Sequence, residues 1–258
     1  MNWYRHRTAI WLALILAAWG TLKVCWEQGI ERREAELRFH GYTINRDLRD
    51  QLGQGMMLGL LSGFRGVVAD FVWLMVTNSW QDKQWFRVKS MVDLSTTLQP
   101  RFIPFWDLGG WHLAWNASVD RRNNRDEPNE LRRLKEERYW INEGKKIYER
   151  GAENNPDSFE IWRSLGLLND QKLHDYRAAA EAYAHAAAVP GAPVFLERFP
   201  GYMLEKAGDD AAALEVYKRL WYLPRDHKVP QFGYDKVEER IRALEAKLKV
   251  PREKRVFP

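Results

Sequence analysis

The stretch Asp175-Tyr176-Arg177-Ala178-Ala179 returns one period later as Asp209-Asp210-Ala211-Ala212-Ala213, and this repetition decides the fold. Three pairs in and after this stretch keep a spacing of 34 residues: Ala179 and Ala213, Tyr183 and Tyr217, and Ala186 and Leu220. A period of this length is typical of helical hairpins that stack side by side. Because one hairpin cannot bury its own apolar face, several must pack in a row. The sequence therefore predicts an all-α solenoid.

The predicted repeat domain, residues 67–226, contains about four helical hairpins. They occupy residues 69–101, 102–151, 157–190 and 193–222, and Pro100 and Pro156 follow the second helices of the first two. A helix normally stops before proline, so these positions mark the hairpin ends.

The first two hairpins are predicted from this register. The first pairs helix Asp70–Trp80 with helix Trp85–Leu98, and its opening helix restarts near Gly66 and should bury Val68, Phe71, Val72, Met75 and Val76. The second pairs Phe102–Ser118 with Glu130–Gly151. Between these helices lies a polar insertion, Val119–Asn129, which should form an exposed loop.

Local signals refine the third and fourth hairpins. Asp157 and Glu160 have the spacing of a capping box at the start of a helix, and one extra residue near Leu173-His174 lengthens the turn of the third hairpin. In the fourth, Gly208-Asp209 marks the turn. Pro200 lies inside its first helix and predicts a kink or a late start.

The C-terminal residues 227–258 are predicted to close the row. A polar linker with Pro230 leads to Tyr234–Val250, where one apolar stripe is formed by Val237, Ile241, Leu244 and Leu248. A single amphipathic helix beside a solenoid typically caps its last repeat.

Several of these residues resemble the tetratricopeptide repeat (TPR) pattern. They are Trp162-x-x-Leu165-Gly166, Asp175-Tyr176-x-x-Ala179, Tyr183 and Ala186, with a second copy from Gly208 to Tyr217. The resemblance implies a right-handed superhelical solenoid. The sequence departs from the pattern at the extra residue of the third repeat, at Pro200 and at Glu197, where an aromatic is expected. The segments Phe64–Leu74 and Leu98–Phe102 are also similar to bacterial membrane-anchored repeat proteins of unsettled function, which implies an envelope protein.

The N-terminal residues 1–26 are predicted to form a transmembrane anchor. Thr8 to Leu22 carries no charge, and Thr8 to Trp26 would span about 28 Å as a helix, at roughly 1.5 Å per residue. Arg5 and Arg7 precede the run, which favours a cytoplasmic N-terminus. A cleaved signal peptide is the first alternative. Lipidation at Cys25 is the second, although Lys23 stands where small residues are needed.

Residues 27–66 are predicted to form a charged stalk followed by an apolar docking segment. Leu52 to Val76 is apolar enough to suggest a second span, but Arg65 and Asp70 would each cost ~3 kcal/mol at mid-bilayer. We therefore expect this segment to dock on the repeats or to rest at the lipid interface. The predicted membrane-proximal contacts are Met56, Met57, Arg65, Asp70 and Trp73. Other interpretations of Arg65 and Asp70 are an ionic lock, a partner contact, or a surface arginine beside a helix-start acid.

The sequence carries no catalytic motif and implies no cofactor or metal. Its six histidines are scattered, and it has neither a phosphate-binding glycine loop nor a Gly-x-Ser-x-Gly nucleophile motif. The single cysteine, Cys25, excludes an internal disulfide. The net charge is +5, but basic and acidic residues alternate, which argues against nucleic acid as a partner. The composition thus favours a non-enzymatic protein.

A protein-binding groove is predicted on the inner face of the first helices. On the TPR pattern this face includes Asp107, Trp111, Arg163, Leu167, Asp170, Arg198 and Tyr202. The sequence has thirteen tryptophans, and the aromatic cluster of Trp106, Trp111 and Trp115 could pack in the core or line the groove. The lysine and asparagine set with which some TPR proteins clamp a terminal carboxylate is missing.

Two functions follow as expectations. The first is a single-pass protein of the bacterial inner membrane with a periplasmic repeat domain, which binds another protein and supports assembly of an envelope complex. The second is an accessory subunit of a membrane complex, packed through residues 52–76. The partner would be a membrane or periplasmic protein, with no small-molecule substrate.

Overall fold

The computed structural model describes residues 63–223 and 233–257, and the regular structure of these residues is entirely helical. The prediction of an all-α protein is confirmed for this part of the chain. Residues 1–62 lie outside it, and with them the predicted anchor, the stalk, Met56 and Met57. Among the helices described, none is both long and apolar enough to cross a membrane. The chain divides after Phe102 into two compact units, Met1–Phe102 and Ile103–Pro258.

Unit one contains a hairpin of α1 (Arg65–Gln81) and α2 (Trp85–Leu98). The turn between them places Lys83 in the left-handed region, with φ 55°. Arg65 Nη2 donates a hydrogen bond to the Leu98 carbonyl at 3.0 Å, which ties the start of α1 to the end of α2. This is the hairpin predicted for 69–101, with a first helix that begins near Gly66 as expected.

The prediction that α1 buries Phe71 and Met75 is wrong. The buried stripe consists of Val68, Val72 and Val76, which follow one another at a spacing of four residues and face α2. Phe71 is 58% exposed, and Met75 is also exposed. Helical geometry rotates these two side chains off that stripe, so α1 is apolar on a second side as well.

Unit two is a longer series of helices. In chain order it contains α3 (Ile103–Trp111), a π-helical turn (His112–Ala117), α4 (Ser118–Arg122), α5 (Glu130–Asn154), α6 (Phe159–Leu168), a second π-helical turn (Asn169–Leu173), α7 (Tyr176–Ala188), a 3₁₀ turn (Val194–Arg198), α8 (Phe199–Lys206), α9 (Asp210–Trp221), α10 (Tyr234–Lys247) and a last 3₁₀ turn (Arg252–Lys254).

Neighbouring helices of unit two pack against each other in order. The pairs α3 with α5, α6 with α7, and α8 with α9 form three hairpins, which we number two, three and four, and α10 packs on α9. The first helices of hairpins two and three, α3 and α6, are also in contact. Unit two is therefore a row of helical hairpins, as the 34-residue period predicts.

A glycine of the first helix receives a tyrosine ring of the second helix in each of these three hairpins. A Cβ placed on Gly110 would lie 2.5 Å from Tyr148 Cζ, and one on Gly201 would lie 2.5 Å from Tyr217 Cε1. In hairpin three the corresponding contact, at 3.0 Å, is to the Tyr183 ring from Gly166. No side chain fits between glycine and ring, so the pair sets how closely the two helices approach.

The insertion in hairpin two is shorter than predicted. The first helix does not stop at Ser118, because α4 continues it to Arg122, and only residues 123–129 form the loop. The Asn129 side chain then caps α5 by accepting from the Arg132 amide. Polar residues from Val119 to Arg122 suggested a loop, but a solvated helix end is equally compatible with them.

The predicted capping box at Asp157 is also wrong. The N-cap of α6 is Ser158, whose Oγ accepts from the Ile161 amide and donates to Glu160 at 2.8 Å. The extra residue of this hairpin corresponds to the π-helical turn Asn169–Leu173, since a π-helical turn takes up one more residue than an α-helical turn. His174 follows it with φ 55°, in the left-handed region.

Hairpin four begins late, as Pro200 predicts. A 3₁₀ turn precedes α8, and Pro200 lies in the first turn of α8. Backbone amides in the first turn have no partner within the helix, so the missing amide hydrogen of proline costs nothing there. Gly208 then supplies the left-handed residue of the turn, with φ 77°, and the Asp209 side chain caps α9. The predicted turn at Gly208-Asp209 is confirmed.

The last helix buries most of its predicted stripe. Val237, Ile241 and Leu244 are buried against α9, but Leu248 is exposed because α10 ends at Lys247. The chain then folds back on this helix. The Val256 amide donates to Glu245 Oε1 at 2.8 Å, and Phe257 packs edge-on against Trp221.

Candidate protein-binding surface

Polar contacts join the first helices of successive hairpins in unit two. Ser164 Oγ donates to Asp107 Oδ1 at 2.6 Å and Lys206 Nζ to Asp170 Oδ1 at 2.7 Å. Two longer contacts extend the series, from Lys172 to Ser118 and from Arg240 to Glu205. These contacts run from hairpin two to α10. We call the side of unit two along which these contacts lie the first-helix face.

A pair of stacked tryptophans lies on this face in hairpin two. The rings of Trp111 and Trp115 are 4.5 Å apart and 10° from parallel, and Trp111 is 42% exposed. Trp115 also meets the Tyr148 ring edge-on at 6.4 Å. We call Trp111 and Trp115 the tryptophan platform. Trp106, in contrast, is fully buried, so the cluster predicted from the sequence divides between the core and the surface.

The π-helical turn His112–Ala117 places the platform where it is. Trp111 precedes the turn and Trp115 lies within it. Residues four apart already share a helix face, and the wider π-helical turn brings their rings into near-parallel stacking. Hairpin three has a π-helical turn at the corresponding place, Asn169–Leu173, which carries Lys172. Lys172 Nζ lies 5.9 Å from the centre of the Trp115 ring.

Asp107 and Arg163, both predicted groove residues, lie beside Tyr148. Its hydroxyl donates to the Asp107 carbonyl at 3.1 Å. Burial raises the pKa of Tyr148 well above its usual value, the nearby Asp107 charge raises that pKa further, and the Arg163 charge opposes both. Asp107, Trp111 and Arg163 therefore come together around the Trp115–Tyr148 pair.

The other predicted groove residues are spread along the row. Leu167 is half-buried on α6, and Asp170 holds the Lys206 ammonium. Tyr202 packs against the Tyr217 ring and lies beneath the Arg240 guanidinium, 5.6 Å away. Arg198 is directed elsewhere. Its guanidinium lies against Gly233 at the start of α10, and its Nε is buried without a hydrogen-bond partner among the described residues.

Three basic residues of this surface are not among the predicted site residues. Lys172, Lys206 and Arg240 follow one another at 34 residues, and each reaches back to the preceding hairpin, where it lies over an aromatic ring: Trp115, Tyr176 and Tyr202, respectively. We call these three residues the basic ladder. Their spacing equals the repeat period, so a search for charged residues at that period would have found them.

The predicted membrane-proximal contacts that the structure describes lie on α1. Arg65 is half-buried and bonded to Leu98, Asp70 is exposed, and Trp73 is half-buried. The side of α1 that bears Asp70 also carries exposed apolar side chains: Val67, Phe71, Leu74 and Met75. We call these four residues the open face of α1. Within unit one it is the largest exposed apolar feature of the helix.

Comparison with known proteins identifies no family for this chain. No protein-family model matches the sequence, and no curated protein matches it.

Proposed function

We propose that this protein is a membrane-anchored scaffold of the TPR-like type, which binds another protein and supports assembly of a cell-envelope complex. Its hairpins form a right-handed superhelical solenoid of about four TPR-like repeats behind one N-terminal transmembrane helix. The anchor holds the protein in the bacterial inner membrane with the repeats in the periplasm. The scaffold acts sterically, by holding a partner at a set height above the bilayer, and needs neither a cofactor nor a catalytic group.

The first-helix face is the observation that supports this proposal. Contacts from Asp107 to Arg240 join the first helices of unit two, and a large aromatic side chain, Trp111, is exposed on this face. Burying a tryptophan against a partner contributes strongly to affinity, and exposed aromatic side chains favour such interfaces. Arg163, exposed on the first helix of the next hairpin, adds a charged group that can select among partners.

Co-purification tests the proposal. The full chain is extracted in mild detergent together with its bound proteins, and the variant Trp111→Ala/Arg163→Ala is compared with the matched control Tyr222→Ala/Arg219→Ala. The control removes an exposed aromatic and an exposed arginine at the end of α9. We expect the first variant to lose its partners and keep its melting temperature, and the control to keep both. Unchanged co-purification in the first variant would contradict a role for this face.

Topology is tested separately. A reporter enzyme that is active only outside the cytoplasm is fused after Val250, beyond the last long helix. Activity of the fusion is expected if the repeats are periplasmic. An inactive fusion, together with activity of a cytoplasmic reporter at the same place, would put the repeats on the other side.

An accessory subunit of a membrane complex is the second candidate function, and the open face of α1 favours it. Phe71 and Leu74, 58% and 59% exposed, could pack against helices of other subunits. We expect a stable complex of fixed stoichiometry in mild detergent, which Phe71→Ser/Leu74→Ser dissociates. Substoichiometric partners that leave at high salt would instead favour the scaffold.

A further inference from the structure

The tryptophan platform is bordered by two cations that form no ion pair with the described residues. Lys172 Nζ lies over the Trp115 ring, and Arg163 directly precedes Ser164, whose hydroxyl contacts Asp107, one helical turn before Trp111. In the described part of the chain, no carboxylate lies within 4.0 Å of either cation. The only hydrogen bond of the Lys172 ammonium there is a long one, 3.4 Å, to Ser118 Oγ.

The other two members of the basic ladder are neutralised within the protein. Lys206 is paired with Asp170 at 2.7 Å, and Arg240 with Glu205 at 3.4 Å. Asp170 of hairpin three and Glu205 of hairpin four supply the carboxylates of these two pairs. The corresponding contact of Lys172 is to the hydroxyl of Ser118, which carries no charge. The two carboxylates at the platform end are engaged elsewhere: Asp107 accepts from Ser164, and Glu137 pairs with Arg122 at 3.5 Å.

Without a bound partner, the partly buried Lys172 ammonium is destabilised. Partial burial lowers the pKa of Lys172, because the charged ammonium has lost part of its hydration, and only Glu137 opposes the shift. A carboxylate supplied from outside would restore a charge-assisted hydrogen bond to this ammonium. Arg163 is exposed and can present its planar guanidinium to a second carboxylate oxygen or to a second acid.

We propose that the platform end of the first-helix face binds a protein segment in which an acidic side chain stands beside an aromatic or large aliphatic one. The apolar side chain packs on Trp111, and the carboxylate lies between Lys172 and Arg163. This proposal rests on the proposed function, because it specifies the partner of the same surface. The carboxylate belongs to a side chain within the segment, since Lys172 and Arg163 both flank the platform.

The positive charge of the site disfavours basic and purely apolar segments as partners. A basic segment would bring a third cation to two that form no ion pair with the described residues, which is unfavourable at short range. A purely apolar segment would cover the platform and further dehydrate Lys172 without any compensating contact. A segment with both an acidic and an apolar side chain therefore fits best, because it pairs with the cations and covers the tryptophan rings.

The experiment selects peptides from a phage-displayed library of random 12-residue sequences on the full chain in detergent micelles. The best peptide is then synthesised together with two derivatives: one with every Asp and Glu replaced by Asn and Gln, and one with Lys at those positions. Binding is measured by Trp fluorescence and by calorimetry. The protein variants are Trp111→Ala, Arg163→Glu/Lys172→Gln, the single variant Arg163→Glu, and the control Arg138→Glu/Arg219→Gln, which changes two other arginines by the same total charge.

We expect acidic peptides with a large apolar residue. The amide derivative should bind about tenfold more weakly, which is the change expected when a hydrogen bond between charged groups is lost. Arg163→Glu/Lys172→Gln should lose a similar factor and bind the Lys derivative better than the wild-type protein does. The control should bind like wild type. Equal melting temperatures, above all for the mild Arg163→Glu variant, would show that the loss is not one of folding.

Two results would overturn this inference, and they differ in what they say of the scaffold. Selected peptides that need Trp111 but are neutral or basic, with no response to Arg163→Glu, would refute the acid preference and leave the scaffold function standing. No selected peptide that depends on Trp111 would contradict both. Binding to vesicles of phosphatidylglycerol that disappears in Arg163→Glu/Lys172→Gln, without peptide binding, would assign the cations to lipid and likewise overturn the inference.

Discussion

The hairpin of unit one and the hairpins of unit two pack their helices in different ways. In unit two a glycine faces a tyrosine ring, as Gly110 faces Tyr148, and the helices approach until the ring touches the backbone. In unit one the contact is a stripe of valines, Val68, Val72 and Val76, with no glycine in it. The second difference is on the outside, where α1 remains apolar.

The exposed positions of α1 are apolar, whereas those of a helix in unit two are polar. The outer positions of α9, for example, are polar, with Glu215 and Arg219 exposed to solvent. On α1 the exposed positions include Phe71 and Leu74. A helix with apolar side chains on two sides is normally covered on both, and exposed apolar patches of this kind mark contact sites. The following substitutions test this difference.

The largest effect is expected from Gly110→Ala. The new Cβ would lie 2.5 Å from Tyr148 Cζ, so the helices of hairpin two must separate or the ring must move. We expect a loss of about 3 kcal/mol, larger than the roughly 1 kcal/mol that alanine gains in a helix. Thermal unfolding of the full chain measures the change. The double variant Gly110→Ala/Tyr148→Leu should lose less than the sum of its parts. A more stable Gly110→Ala would refute the ring contact.

Alanine substitutions at the neighbouring residues Phe71 and Val72 of α1 should reduce stability by clearly different amounts, both smaller than the loss in Gly110→Ala. Val72→Ala removes two methyl groups from a fully buried position and should cost about 2 kcal/mol. Phe71→Ala removes a larger side chain from an exposed position and should cost less than about 0.5 kcal/mol. Melting temperatures of purified, partner-free protein test the pair. Equal losses would mean that Phe71 is packed against protein in the free chain, which is the opposite of an open face.

The tyrosines of unit two should divide by what their hydroxyls contact. Tyr217 Oη donates to Glu205 Oε1 at 2.6 Å, and burial together with this bond raises the pKa of Tyr217 strongly. Tyr217→Phe should therefore cost about 1.5 kcal/mol, as expected for a hydrogen bond to a charged group. Tyr183 has the same place in hairpin three, but its hydroxyl has no hydrogen bond among residues 63–223 and 233–257. Tyr183→Phe should be nearly neutral, and a comparable loss in both would contradict this assignment.

The smallest effect is expected from the basic ladder. Lys206 is about half exposed and pairs with Asp170 across hairpins three and four. A double-mutant cycle with Lys206→Ala and Asp170→Ala should give a coupling of about 0.5 kcal/mol, as for other solvent-exposed pairs. High salt should reduce that coupling further. A coupling of several kcal/mol would contradict this and would make the ladder a main source of stability between successive hairpins.

Much of the fold follows from local patterns in the chain. The 34-residue period, the turn at Gly208-Asp209 and the late helix start at Pro200 are each decided by a few neighbouring residues, and all are confirmed. Helix ends are less well predicted. Ser158 competes with the adjacent Asp157 for the same capping position, and both are suitable residues. The choice depends on where the helix packs, which the local sequence does not contain.

The candidate site is predicted less completely than the fold. Register places Asp107, Trp111 and Arg163 on corresponding faces, and the structure brings these three together around Tyr148. Register also places Arg198 with them, but in the structure the Arg198 guanidinium lies against Gly233 at the start of α10. A contact with a helix that follows 35 residues later cannot be inferred from the repeat pattern of one hairpin.

By itself, the sequence determined that the described part of this protein is a series of paired helices, because the spacing of small and aromatic residues is a local property of each hairpin. Only the tertiary structure decided which side chains remain exposed. Phe71 and Val72 are adjacent and similarly apolar, yet one is open to solvent and the other is buried. The reason is that burial depends on which neighbour covers a residue, and neighbours are set by the packing of whole helices.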